Sequence, residues 1–283
     1  MRKWKRINRR EKTLNTPIGI IDSGIGGLTV AEEIARQLPK EPMIYIGDTA
    51  RCPYGPRSAE EVRLFTWQMI DHLVNENIKM LIIACNTATA VVLDEVRERL
   101  PIPVVGVVQP GALAALNVTK RKEIAVIGTE GTIKSDAYPQ AISSIQGGKV
   151  TVHSLACPTF VPLVEQGRVS VDEAHRVVAD TLKPLLQKSF DTLILGCTHY
   201  PLLASIIQNV VGEGVQVISS GSETAREVST ILQHQGLNRK DERTREHVFF
   251  TTGSVQHFQT IAKRWLGLED QIVDHLILAE KIV

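Results

Sequence analysis

The sequence predicts an α/β fold of two pseudo-symmetric domains, each a mostly parallel sheet flanked by helices. Three observations carry that expectation. Apolar runs of strand length alternate with stretches of helical period, the pattern of a parallel sheet covered on both faces. Several runs end at a glycine or another small residue, where an α/β sheet binds its ligands. The order of elements also recurs: 63 residues separate Asp22 from Cys85, and 69 separate Gly128 from Cys197.

The first round opens with a strand, Ile18–Asp22, ending in Asp22-Ser23-Gly24-Ile25-Gly26-Gly27. A helix follows with Leu28, Ala31, Ile34, Ala35 and Leu38 at apolar positions, and Pro39 stops it. Met43–Gly47 is the next strand, and the loop from Asp48 to Pro56 is rich in turn formers. Ser58 and Glu61 make a capping box for a helix running to about Asn77. A strand at 79–84 leads to Cys85, Asn86–Arg99 is helical, and 103–107 is a strand.

The second round repeats this order. A strand at 123–127 ends in Gly128-Thr129, and Gly131-Thr132 leads into a helix. Residues 149–153 form a strand, and a loop carries Cys157-Pro158 before the segment with Glu165. Ser170 and Glu173 cap a helix to about Gln187, and Thr192–Gly196 leads to Cys197. The tail is less regular, with strands at 215–218 and 247–252 and helices at 222–235 and 254–266. The first half has few elements for a full sheet, so the tail is expected to return to it. The expected division is 16–109 plus 220–283 for one domain and 110–219 for the other.

A length of 283 residues suits one large domain or two of ordinary size. The hydrophobic share of 43% supports a core but is too broken up for a membrane span. A net charge of +1 provides no global field to draw in nucleic acid. Residues 1–12 hold seven of the 32 basic residues and one of the 31 acidic ones. No apolar stretch follows them, so residues 1–15 read as a disordered basic extension and not as a secretory signal. The four cysteines, at 52, 85, 157 and 197, read as free thiols in a reducing cytoplasm.

The chemistry concentrates at strand ends. Asp22 sits beside a glycine turn whose backbone allows close approach, and the helix start offers N–H groups to an anion. The spacing is neither a phosphate-cradling P-loop nor the dinucleotide fingerprint. Asp22 equally suits a helix N-cap. Cys85 and Cys197 each resemble an ordinary buried cysteine, but their matched positions in two related halves weaken that reading. His199 lies two residues from Cys197, close enough to tune a thiol. Cys52 and Cys157 read as packing residues, Glu165 by itself as a helix-surface acid, and Tyr54-Gly55 by itself as a turn. Metal-site spacing is lacking. A cysteine hydrolase would use Cys197, His199 and a carboxylate but leaves Cys85 unexplained. Two facing thiols suit racemisation α to a carboxylate, one removing a proton while the other supplies one to the opposite face. Asn86-Thr87 and Thr198-His199, at helix starts, would hold the substrate's charged groups between them.

Four motifs extend this reading: Asp22-Ser23-Gly24-x-Gly26-Gly27, Gly47-Asp48-x5-Tyr54-Gly55, Ala84-Cys85-Asn86-Thr87-Ala88 and Gly196-Cys197-Thr198-His199-Tyr200-Pro201. In order and in kind they resemble the motifs of bacterial glutamate racemases, over all but the N-terminal extension. The resemblance implies two α/β domains with the active site in the cleft between them. It implies a cofactor-independent, metal-free enzyme that interconverts L- and D-glutamate and supplies D-glutamate for peptidoglycan. It implies a homodimer in the bacterial cytoplasm with no nucleic-acid or membrane partner. Carried over, Cys85 takes the α-proton from D-glutamate and Cys197 from L-glutamate, Asp22 assisting the former and His199 the latter. Glu165 stands where a further acidic residue lies near the second thiol. Ser23, Tyr54, Gly55, Asn86, Thr87 and Thr198 would bind substrate alongside Asp22 and His199, with Thr129 and Thr132 as further contributors. The alternatives are an aspartate or other amino-acid racemase of the same superfamily, the cysteine hydrolase, and a non-enzymatic binding module.

Overall fold

The computed structural model describes residues 14–166, 170–240, 246–266 and 273–278. Two parallel sheets form its frame. The first holds β1 (Ile18–Asp22), β2 (Met43–Gly47), β3 (Met80–Ile83), β4 (Val104–Gly106), β9 (Val248–Thr251) and β10 (Val273–His275), in the order β10-β9-β2-β1-β3-β4. The second holds β5 (Glu123–Gly128), β6 (Thr151–Ala156), β7 (Thr192–Gly196) and β8 (Gln216–Ser219), in the order β6-β5-β7-β8. The order β2-β1-β3-β4 therefore recurs as β6-β5-β7-β8, and every pairing in both sheets is parallel. The tail does return to the first sheet, as β9 beside β2 and β10 beside β9.

Strand alternation explains how each sheet feeds two cores. In β1, Ile18 and Ile20 enter one core and Ile21 the other; in β3, Met80 and Ile82 oppose Leu81 and Ile83 in the same way. Helix α1 (Leu28–Gln37) covers the first face with Leu28, Ala31 and Ile34. Helices α2 (Ala59–Asn75) and α3 (Asn86–Arg99) cover the second with Met69, Ile70, Leu73, Val92 and Val96. The Ser58–Glu61 capping box that opens α2 is present in both its bonds, a feature that contributes about 1 kcal/mol where it occurs.

In the second sheet, α4 (Val108–Val118), α5 (Glu130–Lys134) and α6 (Ala137–Gln146) lie along the chain around β5. Val108, Ala112 and Ala115 of α4 join Tyr138 and Ile142 of α6 in one core. The opposite core is built by α7 (Phe160–Glu165), α8 (Val171–Leu186), the 3-10 turn Tyr200–Leu203 and α9 (Ala204–Val211). Helix α10 (Gly221–His234) then packs back on the first sheet, and α11 (Val255–Leu266) adds Phe258 and Ile261 to the same core.

Several elements differ from the sequence expectation. Helix α4 has no counterpart in it, because Pro110 and Gly111 mark a break; here Pro110 falls in the first turn, where its missing N–H costs no bond. Strand β10 is three residues long and leaves little period to detect. The extension expected over residues 1–15 ends earlier. Leu14 is buried, and its carbonyl accepts from the Lys79 ammonium, itself paired with Glu41. Residues 1–13, which make up most of that extension, lie outside the described residues.

One polar tie fixes the base of the second sheet. The Asp191 carboxylate accepts from Thr119 Oγ1 and from the N–H groups of Lys120 and Arg121, and Thr192 Oγ1 adds a fourth bond. These donors outweigh partial burial and hold the carboxyl down at about 2. A carboxyl depressed in the folded state stabilises above its unfolded value and loses that contribution as pH falls toward the folded one. Asp191→Ala is therefore expected to lower Tm by several degrees at pH 7, with the gap to the parent closing between about pH 4 and pH 2. Thermal melts across that range check it.

Candidate active site

The doubled strand order creates a switch point between β1 and β3 in one sheet and between β5 and β7 in the other. Crevices at the carboxyl ends of strands beside such points hold ligands. Asp22 ends β1, and Cys85 lies just past β3. Gly128 ends β5, and Cys197 lies just past β7. Both thiols are buried and line one cavity together with Ser23, Gly55, Asn86, Thr87, Thr198 and His199. The space open to a water's centre is about 10 Å³, roughly what one water needs.

Cys85 is the N-cap of α3. Its sulfur accepts from Ala88 N at 3.5 Å and donates to Ser23 Oγ at 3.5 Å. Burial, helped by the negative charge of Asp22, pushes this thiol up to about 12. Cys85 therefore holds its proton at neutral pH. On the other side, Cys197 Sγ lies 3.9 Å from His199 Nδ1, and His199 Nε2 lies 2.7 Å from Glu165 Oε1. Burial alone would pull the imidazole down. Its bonds to Cys197 and Glu165, with their charges, outweigh burial and hold it well above the usual histidine range. Glu165 is likewise pushed up by burial but held below the usual carboxylate range by His199 and His257. The two directions agree: an imidazolium sits against a carboxylate, with the Cys197 sulfur on its other nitrogen.

Asp22 is fully buried. One of its oxygens accepts from the N–H groups of Gly24 and Gly27 at 3.0 Å each, and the other from Thr198 Oγ1 at 3.3 Å. Burial raises its carboxyl, and the His199 charge and these donors oppose the rise only in part. Among the described residues its hydrogen bonds run to the glycine turn and to the Cys197 loop, not to Cys85. The N-cap of α1 is Gly27 and not Asp22, whose carboxyl instead accepts from the Gly27 amide within the turn.

Several contacts sew the two halves together around the cavity. Thr87 Oγ1 meets Thr129 Oγ1 at 2.8 Å and Thr132 Oγ1 at 3.3 Å, and Gly131 N donates to Gly55 O. A Cβ on Gly55 would stand 2.6 Å from that of Thr129, so only glycine allows this approach. Tyr138 donates to Asn86 Oδ1 at 2.7 Å, while Asn86 Nδ2 is buried with no partner among the described residues. That leaves a donor beside the cavity, suited to a carboxylate. The Tyr54 phenol is committed to Asp48, so Tyr54 lines the cavity with its ring and backbone while its hydroxyl turns away.

Three placements differ from the sequence reading. Glu165, read by itself as a surface acid, is only one-fifth exposed and points at His199. Cys52, read as packing, places its sulfur 3.9 Å from Glu165 Oε1, at the edge of the site. His257, which carries no motif, reaches Glu165 from α11. Its distance along the chain from every other site residue hid it. Cys157 is a buried packing residue, as read.

Residues 18–228 match the family model for Asp/Glu/hydantoin racemases. A glutamate racemase of Bacillus cereus is 57% identical over 95% of this chain and 99% of its own. The structure of glutamate racemase isoform RacE1 from Bacillus anthracis superposes with a TM-score of 0.88 at 51% identity, covering 93% of this chain and 98% of that one. That of glutamate racemase from Francisella tularensis in complex with D-glutamate gives 0.86 at 33% identity, covering 94% and 98%. The chain belongs to the Asp/Glu/hydantoin racemase family. Within that family it stands with the glutamate racemases, enzymes of the isomerase class.

Gly26 offers a test of the site's geometry. A Cβ there would stand 2.4 Å from His199 Nδ1 and 2.6 Å from Thr198 Oγ1. Gly26→Ala must displace the imidazole from Cys197. Turnover is expected to fall by roughly 10²-fold or more, the scale of losing an acid/base group, while both thiols remain in the chain. Steady-state kinetics alongside circular dichroism check it.

Proposed function

We propose that this racemase moves the α-proton of glutamate between two thiols, Cys197 and Cys85, without a cofactor. One observation carries the reading: two buried thiols follow equivalent strands of two equivalent sheets and line the same cavity. In the direction from L-glutamate, the Cys197 thiolate takes the α-proton, so the Cα–H bond breaks and an S–H bond forms. Cys85 then gives its proton to the opposite face of Cα, and its sulfur is left as the thiolate. Racemisation from D-glutamate is the same path reversed.

The surroundings suit this division. His199, charged and bonded to Glu165, lies against the Cys197 sulfur, while buried Cys85 keeps its proton. Asn86 Nδ2, Thr87, Thr198 and Ser23 offer donors to the substrate carboxylates, and Gly55 and Tyr54 close the cavity wall. Asp22 holds the turn between the thiols. On this reading Thr129 and Thr132 act through Thr87. We read residues 16–109 with 220–283 as one domain and 110–219 as the other, closing on the substrate between them. The resemblance extends the reading to a homodimer of the bacterial cytoplasm that supplies D-glutamate for peptidoglycan. No helix among the described residues is long and apolar enough to cross a membrane.

The reading has a direct assay. Purified protein, dialysed against a chelator, is expected to racemise L-glutamate in preference to L-aspartate and to wash solvent deuterium into the α-position. Cys85→Ser and Cys197→Ser are each expected to reduce kcat by at least about 10³-fold, since a serine hydroxyl is far too weak an acid to replace the thiol. Full activity in either variant would end the two-thiol mechanism.

A further inference from the structure

The geometry points to His257 as a further positioning residue for the Cys197 half of the site, supplied by the opposite half of the molecule. His257 lies in the first turn of α11, which packs on the first sheet, whereas Glu165 and His199 both follow strands of the second. Its Nε2 stands 3.6 Å from Glu165 Oε2, while Glu165 Oε1 is bonded to His199. Glu165 is thus gripped at both oxygens. One bond comes from its own half and one contact from the other.

The four groups form a line with a gradient of exposure. It runs from the buried sulfur of Cys197 through His199 at 2% and Glu165 at 20% to His257 at 49%. Among the described residues no comparable line leaves Cys85, whose sulfur meets Ser23 Oγ and a backbone amide. Holding Glu165 at its second oxygen fixes the rotation of the carboxylate and so aims the first oxygen at His199. Loss of His257 frees that rotation, and the imidazole is then less well held toward Cys197. The effect should be confined to proton transfers at Cys197.

This inference rests on the two-thiol reading, and isotope effects separate the two. The enzyme is compared with His257→Asn, too short to reach Glu165, and with His257→Gln, which can keep a donor on it. Both changes are at a half-exposed position, and thermal melts report the fold. For His257→Asn, kcat/KM is expected to fall roughly three- to tenfold, well short of the 10²–10⁴ typical of losing an acid/base group itself. The fall must be equal in both directions, because the equilibrium constant is fixed. The primary isotope effect on kcat/KM should rise with α-deuterated L-glutamate, whose deuteron goes to Cys197. It should fall with α-deuterated D-glutamate, because transfer at Cys197 then limits a path whose label goes to Cys85. His257→Gln should recover most of the loss. A structural defect would reduce the active fraction and leave both isotope effects where they were. Unchanged kcat/KM in His257→Asn, or isotope effects that move together, would overturn the role of His257 while leaving the racemase standing. Full activity in Cys85→Ser or Cys197→Ser would overturn the reading beneath it.

Discussion

The structure depends on one buried carboxylate. Asp22 ends the first strand and accepts from two amides of its own turn and from a hydroxyl of the opposite half. A buried carboxyl needs such partners, and each of them fixes a piece of the site. The amides of Gly24 and Gly27 set the turn, and Gly26 lies within it so closely against His199 that no side chain fits. Thr198 sets the loop that carries Cys197. A single acid therefore aligns a turn in one half with a thiol loop in the other.

The two thiols are chemically alike, but their settings are not. Cys85 caps a helix, and burial with the charge of nearby Asp22 favours its protonated form over the opposing pull of Ser23 and the Ala88 amide. Cys197 adjoins an imidazolium neutralised on its far side by a carboxylate. The duplicated frame supplies equivalent positions, and the local side chains then break the symmetry. On the two-thiol reading each thiol is acid in one direction and base in the other, so the difference is one of setting and not of kind.

Much of this was legible in the sequence, because strand and helix periods are strong here and the glycine turns punctuate them. Ile18–Asp22, Met43–Gly47 and Thr192–Gly196 read as strands because they are short apolar runs bounded by turn-forming residues. Cys85, Cys197, Asp22 and His199 were readable because each lies within three residues of a strand end. Glu165, Cys52 and His257 were not, or only by resemblance. They meet through tertiary packing of a short helix, a loop and a distant tail helix, and no local pattern encodes that meeting. Helix α4 was hidden by its own Pro110-Gly111, which local propensity reads as a break. The first turn of a helix tolerates a proline that its interior would not.

The single cavity shared by the two sulfurs has a consequence of its own. On the two-thiol reading, the reacting carbon exchanges its proton with those sulfurs. The hand of the product is then decided by where the enzyme's own proton lies. Each turnover moves that proton to the other side, so the protein leaves the reaction altered and carries a one-bit record of its last product. It is then prepared for the enantiomer it has just released, and it must rewrite that bit before it can repeat the same conversion.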